Sequence, residues 1–162
     1  MVIREYNTGD LSEIYRLFYE TVHSVNLKDY TRAQADAWAP FDYDREKWNN
    51  SLIENYCVVA SENNTITGFG DIDESGYLDR LYVHRDFQNR GIATAICDEL
   101  ESHSEGNIIR VHASVTAKPF FEKRNYIVIK EQFVKRNEIL LKNFIMISKL
   151  TLIHISEPTR HA

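Results

Sequence analysis

Cysteine, proline and glycine are scarce in this sequence, with 2 Cys, 3 Pro and 6 Gly among 162 residues. Two cysteines cannot build the disulfide framework of a small secreted scaffold. Cys57 falls in a strand-like stretch and Cys97 in a helix-like one, and each reads as a small buried hydrophobe. The shortage of Gly and Pro, together with the lack of low-complexity runs or internal repeats, excludes collagen-like, disordered and repeat architectures. Long hydrophobic runs are missing too. The longest apolar stretches, such as Tyr56 to Ala60 and Phe144 to Ile147, fall far short of the ~18 residues that span a bilayer, so no membrane partner is expected. The N-terminus lacks the basic segment and apolar stretch of an export signal, which points to a cytoplasmic location. Basic residues are outnumbered, 19 against 24, for a net charge of −5. No basic stripe is present to hold a phosphate backbone, so nucleic acid is not an expected partner. The six histidines are scattered, and none pairs with a cysteine at zinc-ligand spacing, so no metal is expected.

What is present suits one folded core. Hydrophobic residues make up 43% of the chain and aromatic residues 12%, consistent with a single domain over residues 1–150. Val2, Ile3 and Tyr6 suggest an opening strand. Asp10 and Glu13 make an N-cap and N3 pair for a helix that carries Leu11, Ile14, Leu17 and Phe18 on one face. Thr31 and Gln34 repeat that capping pattern before Ala37 and Trp38, Pro40 ends the element, and a third helical stretch carries Trp48, Leu52 and Ile53. Tyr56–Ser61, Thr65–Ile72 and Tyr77–Val83, separated by turn residues, read as an antiparallel meander. Helical periodicity returns from Gly91 with Ile92, Ala95, Ile96 and Leu100, and Gly106-Asn107 breaks it before the β-branched run Ile108–Val115. Ala117–Arg124 reads as a short helix, and Ile127–Val134 and Ile139–Met146 flank Lys135-Arg136-Asn137 as a closing hairpin. The order β, α, α, α, β, β, β, α, β, α, β, β is that of a mixed α/β (α+β) fold with helices on a sheet. Residues 151–162 follow a strand that already completes this pattern and read as a non-native tail, with an extra edge strand at Leu152 to Ile155 as the alternative.

The stretch that carries chemistry runs from Tyr77 to Thr94. A strand passes through a polar loop straight onto a helix N-terminus, where the first backbone N–H groups lack intrahelical partners and the dipole is positive. Gly91 and Ala93 keep bulk away from those amides, and Gln88 and Arg90 are placed to add side-chain donors, so the loop suits a diphosphate. A Gly-x-Ala at a helix start is also what an ordinary tight turn contains.

Placed after Leu81-Tyr82-Val83, Gln88-x-x-Gly91-x-Ala93 resembles the acetyl-CoA signature of the GNAT superfamily of N-acetyltransferases. The segment from Ala117 through Phe120-Phe121-Glu122-Lys123 to Asn125-Tyr126 resembles that superfamily's A-x-x-F-Y-E-K-x-G-F helix motif, and the element order from Val2 to Leu150 is similar to its fold. The opening block, with His23, Asn26, Asp29-Tyr30, Gln34 and Ala37-Trp38-Ala39-Pro40, resembles one branch of uncharacterised or xenobiotic-handling bacterial members. The resemblance implies a central, mostly antiparallel sheet flanked by helices and splayed in the middle after the strand ending at Val83. It also implies acetyl-CoA as co-substrate, held by Leu81, Tyr82, Val83, Gln88, Asn89, Arg90, Gly91, Ile92, Ala93, Thr94 and Phe121. Two positions depart from the pattern. Phe121 stands where many members have tyrosine, which removes a usual general acid. Asn125 replaces a glycine, a change that a left-handed backbone tolerates.

Within that frame, a main-chain N–H at a bulge near residues 81–83 would polarise the thioester carbonyl. An alkyl ammonium with a pKa of ~10.4 must lose a proton before it attacks. Asp79 is the expected base, with a plain ion pair to a neighbouring Lys or Arg as its alternative role, and His23, His84 and His112 are rivals. Tyr126 is the expected acid and Tyr82 its runner-up, although both rings could instead serve packing alone. Expected acceptor contacts are His23, Tyr30, Trp38 and Asp79, with Asp29, Asp36, Asp42 and Asp44 adding negative charge that favours a cation. The implied function is transfer of acetyl from acetyl-CoA to a primary amine of a small molecule, an aminoglycoside antibiotic or other xenobiotic amine. A protein or peptide amine is the second reading, and a non-catalytic acetyl-CoA-binding module the third. Family members often pair, so a homodimer is open.

Overall fold

A computed structural model describes residues 1–148, and the tail expectation for residues 151–162 lies outside the described residues. The chain opens with β1 (Val2–Glu5), followed by α1 (Leu11–Val22), α2 (Arg32–Trp38) and α3 (Arg45–Glu54). The meander comes next as β2 (Tyr56–Glu62), β3 (Thr65–Ile72) and β4 (Tyr77–Val83). After it come α4 (Ile92–His103), β5 (Arg110–Ser114), α5 (Lys118–Lys123) and the hairpin of β6 (Tyr126–Arg136) and β7 (Ile139–Ser148). The strands form one seven-stranded sheet in the order β1-β2-β3-β4-β5-β7-β6. Every neighbouring pair is antiparallel except β4 with β5. This is the mixed fold that the order of hydrophobic patterns predicts.

Both faces of the central strands are covered. Val59 and Phe69 join Leu11, Ile14 and Phe18 of α1 and Leu52 of α3 in one cluster. Val58, Leu78 and Val111 join Ile92, Ile96 and Leu100 of α4 in the other. Successive residues Val58 and Val59 thus bury on opposite sides, which is why β2 reads as a continuous apolar run rather than an alternating one. Cys57 and Cys97 are both buried, and burial pushes the Cys97 thiol up to about 12, so it behaves as the hydrophobe expected from the sequence.

Two local expectations shift. The first helix is capped earlier than Asp10. The Asn7 side chain accepts the Gly9 N–H at 3.0 Å, and Asp10, at N3, accepts the Asn7 N–H at 2.9 Å. A short 3-10 turn over Thr8–Asp10 therefore carries the box, and Glu13 is released to accept the Ile66 amide at 2.8 Å. The closing turn begins two residues later than expected, at Asn137 rather than Lys135. Asn137 (φ 45°) and Glu138 (φ 66°) are the left-handed pair of a two-residue hairpin, a twist that matches the flanking strands. Arg136 is consequently the last residue of β6 rather than part of the turn.

The sheet opens in its middle. β4 and β5 pair only at Tyr77↔Arg110 and Leu78↔Val111, so the splay begins after Leu78, earlier than Val83. The cause lies on the other edge of β4, where the register with β3 passes from Asp71↔Arg80 to Ile72↔Leu78. Asp79 is the extra residue of a β-bulge, not its neighbour, and a bulge bends the strand and increases its twist. From Asp79 to Val83 the main chain facing β5 has no strand partner. Across the sheet, α4 lies close against β3 because Gly68 has no side chain. A Cβ there would sit 2.9 Å from Ile92 Cγ2 and 3.2 Å from the Tyr82 carbonyl oxygen. That contact fixes the helix start beside the end of β4.

Candidate active site

A cavity of about 630 Å³ runs from the start of α4 along β4, and Leu81, Tyr82 and Val83 line one side of it. Gln88, Asn89, Gly91, Ile92, Ala93 and Thr94 line its far end. Gly91 is the N-cap of α4 at φ 80° and supplies no side-chain cap, and no side chain among the described residues bonds the first turn. The amides of that turn are therefore unsatisfied by the protein, which leaves them for an anion. A Cβ on Gly91 would meet nothing within 4 Å, so the approach is open. Two expected donors are used elsewhere. Gln88 Nε2 donates to the Val83 carbonyl at 2.8 Å, beside Thr21 Oγ1, which donates to the same oxygen at 2.9 Å. Gln88 thus anchors the end of β4. The Arg90 guanidinium stacks over the Phe87 ring at 4.9 Å and does not line the cavity.

A second cavity, of about 160 Å³, lies on the acceptor side, where Tyr30, Trp38, Asp79 and His112 line it together with Arg136 and Asn143. Phe121, expected on the cofactor, lines this second cavity, while its neighbour Phe120 lines the first. Leu81, Tyr82, Ser114 and Ala117 line both, so the cavities meet at the splay. Two hydroxyls stand at that junction. Tyr82 accepts from Trp38 Nε1 at 3.2 Å and Ser114 Oγ accepts the Ala117 N–H at 3.0 Å, which leaves each its own hydrogen to donate. Burial pushes the Tyr82 phenol well above its ordinary value.

The bulge turns Asp79 and Arg80 to different duties. Arg80 is bound by the buried Asp71 carboxylate, donates to Ser51 Oγ at 2.7 Å and lies 4.9 Å over the Trp48 ring. Burial pushes the Asp71 carboxyl up to about 6, with Arg80 opposing. Asp79 keeps only a 3.8 Å contact to Arg80, with its side chain 36% exposed, and faces the acceptor cavity. His112 shares that cavity. Burial and the nearby Arg110 charge hold its imidazole below the ordinary 6.5 against the pull of Asp79, so it is neutral at neutral pH.

Several expected residues lie elsewhere. His23 stacks on Tyr19, with ring centroids 4.1 Å apart, and its Nε2 sits 2.9 Å from the Ala39 carbonyl, away from both cavities. His84 Nδ1 accepts the Asp86 amide at 3.0 Å. Tyr30 does line the acceptor cavity, but its hydroxyl is committed, donating to the Lys142 carbonyl at 2.6 Å and accepting the Val115 N–H at 2.9 Å. Asp29 accepts from Thr116 Oγ1 at 2.8 Å and Asp44 caps α3 by accepting the Lys47 N–H at 3.1 Å. Neither they nor Asp36 and Asp42 line the acceptor cavity, so the expected acidic surround is missing from it.

Tyr126 is also remote. Its ring packs on Phe121 in the core beneath α4 and its hydroxyl donates to Glu101 at 2.6 Å, where Arg124 also binds at 2.7 Å. Tyr126→Phe should lower stability by about 1–2 kcal/mol through this lost bond to a charged acceptor, with turnover per folded molecule unchanged; denaturant melts and initial rates check both. Three lining residues escape a sequence reading. Ser114 ends β5, Arg136 hides in the hairpin signal, and Asn143 is a polar residue within the apolar run of β7. Only Asn143 left a trace, since an amide amid apolar neighbours needs a reason to be there. Its Oδ1 is buried without a hydrogen-bond partner among the described residues.

Comparison with known proteins agrees with this geometry. Residues 26–146 match the family model described as an acetyltransferase (GNAT) domain. The uncharacterized N-acetyltransferase YafP of Escherichia coli (strain K12) is 34% identical over 145 residues, which cover 89% of this chain and 93% of YafP. A GCN5-related N-acetyltransferase crystal structure from Rhodopseudomonas palustris is 29% identical with a TM-score of 0.88, covering 91% of this chain and 94% of that one. The PaiA N-acetyltransferase of Thermoplasma acidophilum, solved in complex with coenzyme A, shares the fold at 20% identity and a TM-score of 0.74, covering 91% of this chain and 98% of that one. A splayed sheet with an open helix N-terminus at its mouth, a family match across most of the chain and a relative aligned almost end to end together mean that this chain belongs to the acetyltransferase (GNAT) family.

Proposed function

We propose that the chain transfers acetyl from acetyl-CoA to the primary amine of a small molecule by direct attack in a ternary complex. The observation that carries this reading is the meeting of the two cavities at Leu81, Tyr82, Ser114 and Ala117. The diphosphate of the cofactor binds the free amides of Ile92, Ala93 and Thr94, and the pantetheine arm lies along the unpaired main chain of residues 79–83. That placement delivers the thioester to the junction. A main-chain N–H there supports the carbonyl oxygen as it becomes an oxyanion, and loss of one such donor costs about 3 kcal/mol in other enzymes. The acceptor enters the second cavity, whose volume of about 160 Å³ is below the ~300 Å³ of sites for drug-sized ligands. It fits a small amine, or the amine-bearing end of a larger one.

The ammonium gives one proton to Asp79, directly or through water, and its nitrogen attacks the thioester carbon. The C–N bond forms, the C–S bond breaks, the second proton leaves with formation of the amide, and the sulfur takes a proton. One proton in total is released to solvent. Neutral His112 offers a second acceptor for it. An ordinary thiol ionises near pKa ~8.5 and a phenol near ~10, and burial pushes Tyr82 higher still. Full proton transfer from Tyr82 to the leaving sulfur is therefore uphill. The hydroxyls of Tyr82 and Ser114 instead hydrogen-bond the thiolate as it forms, so loss of the Tyr found elsewhere in the family at Phe121 is tolerable. Tyr82→Phe and Ser114→Ala should each lower kcat by about tenfold or less, the size of one hydrogen bond to a charged group. A larger loss would identify an obligatory acid. The reading as a whole is tested by thiol release from acetyl-CoA with a panel of small amines; CoA binding without thiol release from any acceptor would reduce the chain to a binding module.

A further inference from the structure

Resting on that reading, we infer that the acceptor is a small amine that also carries an anionic group, a carboxylate foremost, rather than a polycation. The charges of the acceptor cavity point this way. Asp79 is its one carboxylate among the described residues, and His112 is neutral at working pH. Two cations line the same cavity, Lys142 and Arg136. Lys142 is neutralised by Glu131 at 3.1 Å. Arg136 makes no ion pair and no hydrogen bond with another described residue. It stands exposed at the end of β6, because the hairpin turn begins only at Asn137.

A planar guanidinium without a partner among the described residues, lining a cavity that must admit substrate, is a fork for a carboxylate or phosphate. The same cavity is equipped for the amine. Asp79 offers an acceptor, and Asn143 Oδ1 is a buried acceptor with no partner among the described residues, one that an incoming N–H would satisfy. A polyamine or aminoglycoside would instead set further positive charge against Arg136. An acceptor that carries both an amine and an anion satisfies all three side chains at once. Since Arg136 is exposed, its attraction is screened, and the preference should shrink as salt is raised.

Matched acceptor pairs test this. Amino acids and their amides share the amine but differ in the carboxylate, and their kcat/KM values, compared at equal free-amine concentration, isolate the anion. A diamine, a polyamine and an aminoglycoside complete the panel, with thiol release as readout and CoA binding measured by calorimetry. The acid should be preferred over its amide by about tenfold, the contribution of a charge-assisted bond at a partly solvated position. In Arg136→Met that ratio should fall towards one, and in Arg136→Glu it should reverse in favour of the diamine. If the amide or the polyamine is acetylated as well as the acid, or if the ratio is indifferent to position 136, the inference is wrong and the acetyltransferase reading stands. Absence of thiol release with every acceptor, from a chain that binds CoA, overturns both.

Discussion

Valine at position 91 is expected to weaken binding of CoA and acetyl-CoA by about a hundredfold or more while leaving the chain folded. Gly91 holds φ 80°, a left-handed conformation that costs an L-residue on the order of 1–2 kcal/mol and a β-branched one more. Nothing in the protein lies within 4 Å of a Cβ placed there, so the core is not overpacked and the thermal midpoint should fall only modestly. The added branch points into the approach to the amides of Ile92, Ala93 and Thr94, where the diphosphate must come close. Gly91→Ala shares the backbone strain but little of the bulk. Comparing the two separates reshaping of the loop from obstruction, and an affinity unchanged in both variants would remove the cofactor from this helix.

The second large effect concerns Asp79. Asp79→Asn should lower kcat by about a hundredfold at neutral pH, a usual magnitude for removal of a positioned general base, with the dissociation constant for CoA unaltered. The side chain lies in the bulge, 36% exposed and 3.8 Å from Arg80, so the isosteric amide preserves shape and removes only basicity. The sign of the pH response follows. For a lysine-like acceptor of pKa ~10.4, each unit of pH up to that value raises the free amine about tenfold. Activity of the variant should therefore climb steeply with pH and approach that of the parent. A variant that loses turnover and cofactor affinity together, with no recovery in alkali, would make Asp79 a structural residue of the bulge.

Much of the fold was legible because the hydrophobic periods are unambiguous. Thr65–Ile72 and Tyr77–Val83 were bounded by turn residues that fixed their ends, and α4 announced itself through Ile92, Ile96 and Leu100, all buried on one face. Local capping was less secure, since Asn7 and Asp10 both offer cap-forming side chains and only the 3-10 turn decides between them. The cofactor loop was legible through its motif, but the aims of Gln88 and Arg90 were not. A side chain's partner depends on what the fold brings near it, and here those are the Val83 carbonyl and the Phe87 ring.

The acceptor side was the least legible part. Tyr126 is near Phe121 in sequence, yet the turn at Asn125 (φ 70°) carries it into the core against Glu101. His23, Asp29 and Asp44 bond neighbouring helices and loops instead of lining the acceptor cavity. Ser114, Arg136 and Asn143 come from three strands, β5, β6 and β7, and reach the cavity only after a splay that no local pattern encodes. The bulge at Asp79 is of the same kind. It arises from a mismatch between β3 and β4, which is a relation between strands rather than a property of either.

The most direct measurement is a crystal structure of the chain with CoA. The account predicts the diphosphate within hydrogen-bond distance of the amides of Ile92, Ala93 and Thr94, the pantetheine arm in the gap beside residues 79–83, and the sulfur between the hydroxyls of Tyr82 and Ser114. A cofactor bound outside the gap between β4 and β5, or with its sulfur away from the junction of the two cavities, would contradict it.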